Sequence, residues 1–184
     1  PLPISVFNSS AKPRFFLTCD HASQTIPLHM NKLGLSQIDL ERHIAWDIGA
    51  ANVTKKLAKY LNAPAYLSCY SRLIIDCNRP LSSPSSIPTT SDGTKIPANQ
   101  NVSVQEATAR ANAFFLPYHS RISKDLDLML ERGVTPIFTA IHSFTPQLTN
   151  GEPRPRHIGL LWEHDSRLVS PLRTALKNLV PGIC

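Results

Sequence analysis

Two histidines that could bind a metal ion each follow a short apolar run of the sequence. His21 comes after residues 14–19, with Asp20 beside it, and His142 comes after residues 136–141, with Ser143 beside it. Each run is long enough for a buried strand and too short for a helix. Zinc binds two or three imidazole or carboxylate ligands on rigid elements and keeps one position open for water. This pattern favours a metal site over two structural histidines.

A second polar cluster consists of Arg72, Asn78 and Arg79. A guanidinium group presents a planar pair of donors to a carboxylate, so this cluster predicts a site for the carboxylates of a substrate. The residues also allow a structural alternative, in which Arg79 pairs with Asp76 and braces a loop.

His43 and Asp47 stand four residues apart and share a helical face if the helix begins early. They are candidate metal ligands in that case. Asp47 fits equally well as the N-terminal cap of the helix that follows. The sequence leaves both interpretations open.

Length and composition limit the class of protein. A chain of 184 residues predicts a single domain over 1–184, and the proline-rich residues 80–101 predict an inserted surface loop. No apolar run is long enough to span a membrane, and the N-terminus lacks a signal pattern. The four cysteines show no C-x-x-C spacing, which favours reduced thiols in the cytoplasm.

The net charge of +6 comes from basic residues that are scattered along the chain. Such an excess suits a small anionic substrate, and no basic helix stripe or RNA-binding aromatic motif indicates a nucleic acid. We therefore expect neither a nucleic-acid nor a membrane partner, and the sequence does not indicate an oligomeric state.

Apolar spacing predicts alternating strands and helices. Short runs separated by helices are typical of a mainly parallel sheet covered on both faces, which binds ligands beyond the carboxyl ends of its strands. One long helix is expected to open with the capping sequence of residues 103–106, to kink at Pro117 and to end at Gly133. The predicted strands are 14–19, 65–68, 73–76, 136–141 and 157–162, and the predicted helices are 36–43, 47–61, 103–133 and 166–179.

Four ordered motifs resemble those of the N-formylglutamate amidohydrolase family: CDHAS at 19–23, HIAWDIGA at 43–50, SRLIIDCNRP at 71–80 and IHSFTP at 141–146. The resemblance runs from about residue 14 to residue 165. It implies the α/β fold of zinc carboxypeptidases and aspartoacylase, a mixed and mostly parallel sheet sandwiched between helices.

The resemblance also implies a zinc site. In those relatives a His-x-x-Glu motif and a later histidine hold zinc, which implies this role for His21 and His142. Gln24 stands at the position of the glutamate, so the third ligand is Gln24, Asp20 or Asp47. An amide in place of an anion would leave the ion more positive and its bound water more acidic.

In the same relatives an Asn-Arg pair and an upstream arginine grip a substrate carboxylate. The resemblance therefore implies that role for Asn78, Arg79 and Arg72, and Ser143 is a further candidate for substrate binding.

The relatives take their general-base glutamate from a late strand, and their chains continue beyond this length. We therefore expect this sequence to be a truncated or frame-shifted product or a fragment, which lacks the C-terminal part and exposes a sheet edge. Glu163 and Asp20 are the candidates for the catalytic carboxylate.

These expectations describe a cytoplasmic, zinc-dependent enzyme of histidine degradation. It would hydrolyse the amide bond of N-formylglutamate or a similar anionic N-acyl amino acid and release formate, or another acid, and the amino acid. The alternative is a catalytically inactive truncated remnant, or a protein that binds small carboxylate molecules without hydrolysing them.

Overall fold

A computed structural model describes residues 2–9, 14–180 and 182–183. The chain divides into two compact units, residues 1–144 and residues 145–184. The single domain expected over 1–184 stays a prediction.

The first unit contains a sheet of four strands: β1 (Ile4–Phe7), β2 (Phe15–Cys19), β3 (Ala65–Ser68) and β6 (Ile137–Ala140). Their order in the sheet is β1-β3-β2-β6. Strand β2 runs parallel to β3 and to β6, and β1 runs antiparallel to β3. The predicted mixed, mostly parallel sheet is therefore confirmed.

Helices cover both faces of this sheet because side chains alternate along the central strands. Leu17 and Leu67 pack on one face, in a buried cluster with Ala58 of the helix α2 (Ala50–Tyr60). Phe16 and Tyr66 pack on the opposite face, in a second cluster with residues of the helix α4 (Leu116–Glu131). This burial fixes the directions in which the strand ends point.

None of the helices in the described part of the chain has the length and apolar character that a membrane span requires.

The other elements connect the sheet and the helices that cover it. The remaining elements are the helices α1 (Gln37–Glu41), α3 (Val104–Arg110) and α5 (Val169–Leu179), the 3-10 segments Leu28–Gly34 and Pro97–Asn99, the π-helical turn Ala111–Phe115, and the hairpin of β4 (Thr90–Ser91) and β5 (Thr94–Lys95).

Local signals predicted several helix ends. Ser36 caps α1 and forms the reciprocal capping box with Asp39. Gly133 follows α4 with a φ of 73°, a conformation that glycine adopts without steric penalty. The long predicted helix is interrupted at the π-helical turn, one turn before Pro117.

The prediction of a strand over 73–76 is wrong. The chain turns there, with Ile74 N donating to Ser71 O at 3.1 Å, although the segment is buried. The carbonyls of Leu73 and Ile74 accept hydrogen bonds from the side chains of Asn99 and Arg110, at 2.8 and 3.1 Å. Buried backbone groups need partners, and side chains supply them here in place of a neighbouring strand.

A second predicted strand, over 157–162, is also wrong, because none of residues 145–180 and 182–183 of the second unit forms a strand. Residues 80–101, which the sequence predicts to be an inserted surface loop, contain the β4–β5 hairpin and a 3-10 turn.

Candidate metal site

The carboxyl ends of two adjacent parallel strands bring the candidate histidines together. His21 follows β2 by two residues, and His142 follows β6 by two residues. Their ring centroids lie 5.0 Å apart. The sheet therefore produces the pairing that the sequence predicts from two strand ends.

Asp47 lies between these two imidazoles. Its Oδ2 accepts hydrogen bonds from His142 Nδ1 at 2.9 Å and from the Ser143 backbone N–H at 3.1 Å, and its Oδ1 is 3.4 Å from His21 Nδ1. Its backbone N–H donates to the carbonyl of His21 at 2.9 Å, which fixes the segment. One ligand atom from each of these three side chains lies within 4.8 Å of the others.

A second carboxylate lies beyond each histidine. Asp76 Oδ1 is 2.7 Å from His21 Nε2, and Asp20 Oδ2 is 3.4 Å from His142 Nε2. Both Nδ1 atoms consequently face Asp47. Outer carboxylates of this kind orient metal-binding imidazoles and increase their basicity, so the donor set fits zinc.

Arg72 contributes a positive charge at the edge of this group. Its Nη2 donates to Asp76 Oδ2 at 2.7 Å, and its Nη1 lies 3.2 Å from His21 Nδ1 and 3.6 Å from Asp47 Oδ1. The side chain is 25% exposed, so it can also contact an anion from solvent.

The buried charges determine which groups carry protons. Hydrogen bonds to Asp20 and Asp47 raise the pKa of His142 to about 9. Burial lowers the pKa of His21, but hydrogen bonds to Asp47 and Asp76 outweigh it and raise that pKa. Burial raises the pKa of the three carboxyl groups, but hydrogen bonds from the imidazoles outweigh it and hold those pKa values below the ordinary range. A bound cation would replace the imidazole protons.

Gln24, the sequence-based candidate for the third ligand, has a buried side-chain oxygen that accepts no hydrogen bond within the described chain. A buried oxygen of this kind normally has a partner. The metal role of Gln24 stays a prediction, and so does that of Asp47, whose carboxylate contacts both imidazoles. Asp47 does not cap α2, since Gly49, with a φ of 83°, occupies the N-cap. His43 pairs with Asp92 Oδ2 at 3.3 Å.

The candidates for substrate binding lie around Asp76. The backbone N–H of Asn78 donates to Asp76 Oδ1 at 2.8 Å, and the exposed Arg79 donates through Nη1 to the carbonyl of Asn78 at 2.7 Å. The side chain of Arg72 pairs with the Asp76 carboxylate, whereas Arg79 contributes its backbone N–H, which donates to the Asp76 carbonyl at 3.2 Å. The backbone of Ser143 binds Asp47. The roles of these side chains toward a substrate stay predictions.

The two candidates for the catalytic carboxylate differ in their surroundings. Asp20 Oδ1 accepts a hydrogen bond from Tyr118 at 2.6 Å, and Asp20 Oδ2 faces His142. Glu163 belongs to the second unit, where its exposed carboxylate lies 3.5 Å from His164 Nε2. Its role as a general base stays a prediction.

The thiols do not supply a nucleophile in this region. Burial raises the pKa of Cys19 and of Cys77 to about 12, so both are protonated at neutral pH. Cys19, Cys69 and Cys77 are free thiols, and Cys184 lies outside the described residues.

Sequence reasoning missed two contacts of this site. The sequence indicates Asp76 only as a partner of Arg79, and it places Tyr118 only within the predicted helix over 103–133. Asp76 is 55 residues from His21 and Tyr118 is 98 residues from Asp20. The position of Asp76 within the motif at 71–80 was the only available signal for either contact.

Comparisons with known proteins identify a family and a similar solved structure. Residues 14–183 match the family model described as N-formylglutamate amidohydrolase. The chain is similar to the crystal structure of a gene product from Agrobacterium tumefaciens, with 37% sequence identity and a TM-score of 0.93 over 98% of this chain and 71% of that chain. No curated protein matches the chain.

Proposed function

The chain belongs to the N-formylglutamate amidohydrolase family, and on that premise we propose that it is a zinc-dependent hydrolase of N-formylglutamate or a similar N-acyl amino acid. Water would be added across the amide bond, which releases formate, or another acid, and the amino acid. The observation that carries the proposal is the group of two imidazoles and one carboxylate at adjacent strand ends, with an arginine beside it.

His21, Asp47 and His142 are the proposed ligands. They supply two nitrogen donors and one oxygen donor, and Asp76 and Asp20 hold the outer nitrogens of the two imidazoles. Zinc bound by this set would polarise the amide carbonyl and acidify a water molecule. Gln24 is the alternative third ligand, because its buried oxygen accepts no hydrogen bond from the described residues.

The arginines of the site suit an anionic substrate. Arg72 lies 3.2 Å from His21 Nδ1, so its guanidinium can bind a negatively charged oxygen next to the ligands. Arg79 is exposed on the same loop as Asp76 and Asn78, where a carboxylate from solvent can reach it. In the proposal, Arg79 and Asn78 bind the carboxylates of the substrate together with Ser143, which follows β6.

A carboxylate that accepts a proton during the reaction must have an oxygen that is not already held by a hydrogen bond or an ion pair. Both oxygens of Asp20 already face partners, which favours an orienting role for this residue. Glu163 belongs to the second unit, and its role in accepting a proton stays a prediction.

The test is zinc content by elemental analysis together with hydrolysis of N-formylglutamate. We expect about one zinc per chain in the wild type, and the loss of both zinc and turnover in His142→Ala. His29→Ala removes an exposed histidine and serves as the matched control, which should retain both. Zinc that persists in His142→Ala, or a folded wild type that takes up none from a zinc-containing buffer, would contradict the proposal.

Two more variants distinguish the third ligand. Asp47→Ala removes the carboxylate that contacts both imidazoles, so it should abolish zinc binding, whereas Gln24→Ala should leave the zinc content near that of the wild type. The opposite result would assign the ligand to Gln24.

A further inference from the structure

Tyr118 is a fully buried tyrosine whose hydroxyl group points toward the candidate metal site. The side chain is 0% exposed and packs in a cluster that includes Phe16 and Ile122. Its hydroxyl donates to Asp20 Oδ1 at 2.6 Å. Burial raises the pKa of Tyr118 well above its ordinary value, so the group keeps its proton and remains a donor.

The hydrogen bond continues to a proposed ligand. Asp20 places its second oxygen 3.4 Å from His142 Nε2, and the Nδ1 of that ring is 2.9 Å from Asp47. The hydroxyl of Tyr118 therefore restrains the carboxylate that lies behind His142. The equivalent carboxylate behind His21, Asp76, is restrained by a backbone N–H and by an arginine.

The local helix geometry explains why this tyrosine reaches the site. Pro117 lacks a backbone N–H, and the π-helical turn Ala111–Phe115 interrupts the helix just before it. The next residue after Tyr118 is His119, whose Nε2 lies 2.9 Å from the carbonyl of Cys77. One turn of α4 thus contacts both the segment that carries Asp20 and the segment that carries Asp76.

We propose that Tyr118 is a positioning residue of the metal site: its hydroxyl fixes Asp20, which in turn holds the imidazole of His142 with Nδ1 toward Asp47. This inference rests on the proposed function, because it assigns Tyr118 to the support of a zinc ligand. Removal of an outer partner of a metal ligand typically weakens metal binding about 10–100-fold.

The test is Tyr118→Phe, which removes the hydroxyl and keeps the buried ring. Zinc affinity is measured by competition with a chelator, and the visible absorption of the Co²⁺-substituted protein reports on ligand geometry. We expect about a tenfold loss of zinc affinity and a changed Co²⁺ spectrum, and a larger loss in Asp20→Asn.

Tyr66→Phe is the matched control. Tyr66 is also buried, belongs to the same cluster, and donates its hydroxyl to a carboxylate, Asp125 Oδ2, at 2.7 Å. This variant should match the wild type in zinc affinity and Co²⁺ spectrum, whatever stability it loses. If Tyr118→Phe does not fold, Asp20→Asn still tests the connection without altering the packing of the ring, because a zinc affinity equal to that of the wild type would overturn the inference.

The outcomes separate the inference from the proposed function. A wild type that binds zinc, with Tyr118→Phe and Asp20→Asn binding it equally well, overturns the inference alone. Equal losses in Tyr118→Phe and Tyr66→Phe also overturn it, since they would reflect a general loss of stability. A wild type that binds no zinc overturns the proposed function as well.

Discussion

Each imidazole of the candidate site lies between two carboxylates. His21 contacts Asp47 and Asp76, and His142 contacts Asp47 and Asp20. Buried charges are stable only when they are paired, so three carboxylates in one place require cationic partners. The imidazoles and Arg72 provide that charge here, and a divalent cation would provide it in their place.

At the scale of single residues, Arg79 tests how the substrate is bound. Arg79→Ala should raise KM about tenfold or more and change kcat less, because hydrogen bonds to charged groups contribute about 1.5–3 kcal/mol and this side chain is outside the metal group. Steady-state hydrolysis of N-formylglutamate measures both constants.

Arg121→Ala is the control for that measurement, since Arg121 is an exposed arginine that pairs with Asp125. Its KM should equal that of the wild type. An Arg79→Ala enzyme with an unchanged KM would exclude Arg79 from carboxylate binding.

At the scale of elements, buried hydrogen bonds from Arg110 and Asn99, here called the Arg110 brace, hold the loop that carries Arg72 and Asp76. Arg110 on α3 is 3% exposed, and its Nη1 donates to the carbonyl of Ile74 at 3.1 Å and to Asn99 Oδ1 at 2.7 Å. Asn99 donates in turn to the carbonyl of Leu73 at 2.8 Å. Since this loop pairs with no strand in the described chain, these side chains determine its conformation.

Loss of the brace should destabilise the protein. Arg110→Met leaves two buried acceptors without a donor, and each such acceptor costs about 1–3 kcal/mol. We expect the free energy of unfolding to fall by about 2–4 kcal/mol, as measured by urea unfolding in the presence of EDTA. Arg121→Met removes an exposed ion pair and should change it by less than about 1 kcal/mol. Equal effects of the two substitutions would show that the brace does not stabilise the loop.

At the scale of the whole molecule, the proposed ligands come from distant parts of the chain. Asp47 and His142 are 95 residues apart, and each follows a different element of the first unit. A metal that binds this folded arrangement and not the unfolded chain stabilises the fold by mass action.

Zinc should therefore raise the melting temperature. Free zinc at about 100 times its Kd adds about 2.7 kcal/mol, which corresponds to about 5–11 °C for a chain of this size. Thermal unfolding with zinc and with EDTA measures the shift. His142→Ala should show none, and an equal shift in that variant would place the stabilising zinc elsewhere.

The motifs and the parallel strand ends of this protein could be predicted from the sequence because their signals are local. Apolar runs followed by polar residues indicated the strands of residues 15–19 and 137–140, and parallel neighbours place such ends at one edge of the sheet. The mixed, mostly parallel sheet and the helices that cover it followed from the same alternation.

Only the tertiary structure decided how the polar groups pair. Asp47 fits a helix cap or a ligand by its sequence position, and its contact with both imidazoles depends on the packing of segments far apart in the chain. The segment 73–76 fits a strand by composition. Its backbone carbonyls are instead bound by side chains of α3 and of the 3-10 turn Pro97–Asn99, which precedes α3. The contact of Tyr118 with Asp20 spans 98 residues, and no local pattern encodes a hydrogen bond over that separation.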